Sequence, residues 1–85
     1  MRKGVAMQID QVVIERADGP LFCGILFYEH EATSQYLPWS MDIENPQKIV
    51  LKLFLPEKQE RLGIVEEHYE ALADAIVDRV MRDSH

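Results

Sequence analysis

The densest cluster of groups able to bind a metal or move a proton is Glu29-His30-Glu31. On an extended chain successive side chains point to opposite faces, so Glu29 and Glu31 share one side and His30 takes the other. One metal ion wants convergent ligands, so the cluster reads as charges at a strand end. His68 and His85 stand apart from it at no ligand spacing, and neither a metal nor another cofactor is expected. Tyr28 and His30, two positions apart, share a face and are the pair best placed for proton transfer. Cys23 alternates with Leu21 and Ile25, which suits a small buried hydrophobe. A nucleophilic thiol needs exposure and a neighbouring base or positive charge, and none is evident. As the single cysteine, Cys23 allows no internal disulfide and suggests a reducing compartment. There is no Gly-rich phosphate loop, nucleophile elbow or CxxC pair. An enzyme is therefore the less favoured reading, with no catalytic residue to nominate.

Recognition has better candidates. Tyr36, Pro38 and Trp39 lie in a connecting segment rich in Thr, Ser, Asn and Pro. Trp and Tyr anchor many interfaces, and connecting segments often carry function. The plainer reading is that these rings lid a small core. The net charge is −6, with eight acids and four bases in residues 56–85. That balance disfavours a nucleic-acid partner, which calls for clustered Lys and Arg. Glu67, Glu70, Asp74 and Asp78 would form an acidic helix face, either simply solvated or turned toward a basic protein.

The elements that must hold these residues are read from periodicity. Val65, Tyr69, Leu72, Ala73, Ile76 and Val80 share one helical stripe, which predicts a long amphipathic helix over Ile64–Arg82, with a possible earlier start near Leu62. Met7–Ala17 and Leu21–His30 read as a hairpin around Asp18-Gly19-Pro20. A phase change within the first strand suggests a β-bulge near Asp10-Gln11 or, alternatively, a wholly buried Val12-Val13-Ile14 patch. Leu21–Tyr28 is apolar on both sides, as in a central strand covered above and below. Gln35–Ile43 reads as a short irregular strand broken at Pro38. Lys48–Leu55 alternates cleanly and sends Ile49, Leu51, Leu53 and Leu55 to the core.

The expected fold is α+β: an antiparallel three- to four-stranded sheet with one long C-terminal amphipathic helix across one face. Residues 1–85 form one domain, with 1–6 a loose leader. No apolar run reaches signal-peptide or membrane-span length, which points to the cytoplasm and away from a membrane partner.

Widths then suggest a function. A helix about 10 Å across covers about two strands spaced about 4.8 Å apart. Apolar Phe22, Leu26, Tyr28, Val50 and Phe54 would lie on faces opposite the other apolar set. With Tyr36 and Trp39 they form the expected interface, covered by the 31–47 segment or by a second subunit. The leading expectation is a small cytosolic interaction or assembly module, homo-oligomeric or bound to another protein. An acidic inhibitor or immunity-type protein masking a basic partner is the first alternative. A small-ligand binder or enzyme using 31–47 is the second.

Overall fold

A computed structural model describes residues 7–83, so the expected leader 1–6 and His85 lie outside the described residues. Four strands, β1 (Met7–Asp18), β2 (Leu21–His30), β3 (Thr33–Asp42) and β4 (Val50–Leu53), precede α1 (Gln59–Glu67) and α2 (Tyr69–Asp83). The strands form one antiparallel sheet in the order β1-β2-β3-β4, each pairing with its neighbour in sequence. The architecture is α+β, an antiparallel four-stranded sheet with two helices.

The first hairpin turns at Gly19, whose φ of +64° suits the first central position of a primed two-residue turn. Pro20 follows, and Asp18 pairs with Leu21. The suspected bulge is present: Ile9 opposes Tyr28 while Gln11 opposes Phe27, leaving Asp10 extra. A second bulge leaves Glu15 extra between Ile14 and Arg16. Across the first of them, Ile9, Val12 and Ile14 all pack toward the core although their spacing is not strictly two.

The second hairpin carries no sequence signature. His30 pairs with Thr33 across Glu31-Ala32, and both turn residues have positive φ, 52° and 62°. Side chains with a Cβ resist this region, at about 1–2 kcal/mol per residue. The strand therefore stops at His30, and Glu31 sits in the turn. Ala32→Gly is expected to raise stability by about 1 kcal/mol, read as a higher urea midpoint at unchanged slope.

β3 is a full ten-residue strand running straight through Pro38. The reason lies in the ladder. The Pro38 carbonyl accepts the Phe54 amide at 2.9 Å, so this residue's backbone faces the β4 side. The missing N–H therefore costs no rung to β2.

The single long helix is replaced by two. α1 starts after Lys58, whose side chain makes no capping bond, and ends at His68 (φ −108°, ψ 21°). Helical bonds flank the break, from His68 N–H to the Ile64 carbonyl and from Leu72 N–H to the His68 carbonyl. A straight rod would follow a twisted sheet poorly. With the break, Val65 of α1 and Leu72, Ile76 and Val80 of α2 are all fully buried. Tyr69 leaves the expected stripe and is exposed. No described helix is long and apolar enough to cross a membrane.

The core joins those four helix residues to Phe22, Leu26 and Tyr28 of β2 and Leu37, Trp39 and Met41 of β3. Ile49, Leu51 and Leu53 pack against it as expected, while Leu55 is exposed.

Candidate interaction surface

Both helices lie on one side of the sheet, so the other side has no covering layer among the described residues. The register places its side chains in rows. Gln11, Phe27 and Tyr36 form one row, and Val13, Ile25 and Pro38 the next, extended by Phe54. Arg16, Cys23, Ser40 and Lys52 follow, then Asp18, Leu21, Asp42 and Val50. The centre is apolar and the end carries two bases and two acids. Tyr36 is 65% exposed and Phe54 57%, with Leu21, Phe27 and Val50 also exposed. Arg16, Asp18, Leu21, Cys23, Val50 and Lys52 help to line a shallow concavity of about 480 Å³ at that end.

The expected interface set divides between the two sides. Tyr36, Val50 and Phe54 stand on the open face. Phe22, Leu26, Tyr28 and Trp39 do not: they are buried in the core beneath the helices. The correction is one of phase. Side chains alternate with a period of two, and a one-residue slip moves a whole set to the other face. The register aligns Phe22 with Met41 and Met41 with Leu51, so the even positions of β2 join the core. The residues missed are Val13, Leu21, Ile25 and Phe27. The polar alternation Ser34, Ser40, Asp42 against Leu37, Trp39, Met41 was the available signal, because it marks which side of β3 is wet.

The acidic residues Glu67, Glu70, Asp74 and Asp78 are all exposed. Asp78 is engaged by Arg82 at 2.9 Å, and Arg79 pairs with Asp83, so that end of the stripe is locally neutralised. Glu67 lies 3.7 Å from His68. Among the described residues no three His, Cys, Asp or Glu side chains converge. Cys23 is half-buried on the open face, beside Arg16 in the register, rather than in the core.

A second groove, about 340 Å³, runs where β4 ends, with Tyr28, Tyr36, Pro38, Phe54, Lys58 and Arg61 among its walls. His30 is not one of them, so the Tyr28–His30 pair does not share a cavity. Burial raises the Tyr28 phenol above its ordinary value of 10.0, an effect partly offset by the Arg61 guanidinium. The folded state thus holds this proton more tightly than the unfolded chain. Its contribution to stability is fully present below pH 10 and is lost as pH rises from there through the folded pKa. Urea unfolding followed across this range should show the decline, and Tyr28→Phe should flatten it.

Comparison with protein-family models, with curated proteins and with solved structures returns no match to this chain.

Proposed function

We propose that the chain is a small cytoplasmic assembly module in which two copies pack their open sheet faces together. The observation carrying this is the one-sided covering of a four-stranded sheet whose uncovered side is apolar at its centre. Apolar surface removed from water stabilises by about 25 cal/mol per Å², and a contiguous exposed patch commonly marks a contact site. Strand spacing and rise make the face about 19 Å by 30 Å. Two copies would bury about 1,000 Å² in plan, near the lower bound for a specific interface.

Charge supports a second copy as the occupant. Residues 59–83 hold seven acids and three bases, and so account for most of the net charge of −6. They belong to the helices, on the far side of the sheet from the open face. The face itself offers Arg16 and Lys52 against Asp18 and Asp42, a mixed pattern that can pair with its own copy. Light scattering at micromolar concentration is expected to give twice the chain mass. Ile25→Asp, which puts a charge at the centre of the face, should restore the single-chain mass without loss of secondary structure. A monomer at all concentrations would defeat the proposal.

The exposed Glu70 and Asp74 support a second reading, capture of a basic protein by the helix face. Steep weakening of capture with salt would favour it.

A further inference from the structure

We infer that the free edge of β3 and the groove beside it form a docking site for an extended, acidic peptide segment of another protein, which adds to the sheet as a strand in line with β4. This goes beyond the assembly reading, because it adds main-chain bonds in the plane of the sheet, at a groove that shares Tyr36, Pro38 and Phe54 with the open face.

Three observations meet at this place. The first is an unmet ladder. Among the described residues, β4 pairs only with Trp39–Asp42, through Val50–Leu53, with one further bond from Phe54 to Pro38. Because the backbone of Pro38 faces the β4 side, alternation turns Ser34 and Tyr36 the same way. Their N–H and C=O groups emerge where β4 has already ended. Exposed edges of this kind template strand addition. The β1 edge differs, being broken by bulges at Asp10 and Glu15, a recognised way of blunting an edge. β3 runs without a bulge along all of β2.

The second observation is the groove of about 340 Å³ alongside that edge. Tyr36, Pro38 and Phe54 on the open side, with Tyr28 on the helix side, offer apolar surface to the side chains of the added strand. Alternate residues of such a strand would face the groove.

The third is charge. In a chain of net charge −6, this groove carries Lys58 and Arg61 against Glu57. A strand bearing carboxylates gains from these two cations, and a basic strand is repelled. The site therefore selects an extended backbone by its hydrogen bonds, an apolar residue by its walls and an acid by its rim.

The test uses the full chain, ¹⁵N-labelled, titrated with an acetylated hexapeptide of alternating valine and threonine with a glutamate at each end. Saturable shifts centred on the Ser34 and Tyr36 amides are expected. Affinity should fall about tenfold when the terminal glutamates become lysines, or when the amides facing the edge are N-methylated. Arg61→Glu should reproduce the first loss. If that variant does not fold, the lysine-ended peptide on the unaltered chain answers the same question. The inference is overturned if no saturable shift appears, if the shifts centre on Val13 and Ile25, or if the N-methylated peptide binds equally well. It is also overturned if raising the protein concentration without peptide shifts the Ser34 and Tyr36 amides while Val13, Ile25 and Phe27 stay unmoved, since a second copy would then occupy the edge rather than the face.

Discussion

Gly24→Ala is expected to cost about 3 kcal/mol or more, the upper part of the range for overpacking. A Cβ on Gly24 would lie 1.8 Å from the Val13 carbonyl oxygen and 3.0 Å from Cζ2 of Trp39. The ring could tilt, but the carbonyl belongs to the backbone of β1 and has no rotamer to change. Gly24 pairs with Ile14, next to the bulge at Glu15, where β1 comes down close on its neighbour. Making room for one methyl group means parting β1 from β2 inside a ladder of ten residue pairs. A domain of this length typically holds about 4–13 kcal/mol of stability, so the loss is a large share of the whole. Melting should fall by more than about 12 °C. A variant melting within a few degrees of the parent would show that β1 does not make this close approach.

Trp39→Ala is expected to cost about 3–5 kcal/mol. As an expected interface residue, Trp39 would be a natural target for cutting partner binding. The structure gives it another job: it is 1% exposed, lies between Gly24 and Leu53 in the register, and sits in the core with Leu26 and Met41. Its truncation should therefore act on folding and would mislead as a test of association. The indole Nε1 is buried without a hydrogen-bond partner among the described residues. An unpaired buried donor costs about 1–3 kcal/mol, so Trp39→Phe, which removes it and keeps a ring, should lose less than half as much as Trp39→Ala. Urea unfolding of the two variants side by side checks the order. Equal losses would mean that the N–H is satisfied after all.

Much of the architecture was legible from residues with strong local meaning. Asp18-Gly19-Pro20 marked the first hairpin because Gly19 takes positive φ at no steric cost. The phase change around Asp10-Gln11 marked the first bulge. What escaped was carried by residues that do not advertise their role. Glu31-Ala32 makes a tight turn in a region both residues resist, so the second hairpin, and with it the true length of β3, was hidden. That turn also fixes the phase between β2 and β3, because His30 opposite Thr33 leads to Leu26 opposite Leu37 and Gly24 opposite Trp39. Without it, a strand apolar on both sides gave no reason to prefer one set over the other. Alternation alone therefore groups Phe22, Leu26 and Tyr28 with Val50 and Phe54, which lie across the sheet from them. The break at His68 escaped for a similar reason, since no Gly or Pro marks it and the hydrophobic period alone runs on through. The mismatch between the breadth of the sheet and its helical cover does not depend on these details, and among the described residues one apolar face has no covering layer.

The assembly account is tested most directly by mixing ¹³C-labelled with unlabelled chains and collecting only the proton contacts that pass between copies. The account predicts intermolecular contacts from the methyl groups of Val13 and Ile25 and from the rings of Phe27, Tyr36 and Phe54, with none from Leu72, Ile76 or Val80. No intermolecular signal at a concentration where the single-chain mass is absent, or signal confined to the helix surface around Tyr69 and Ala73, would contradict it.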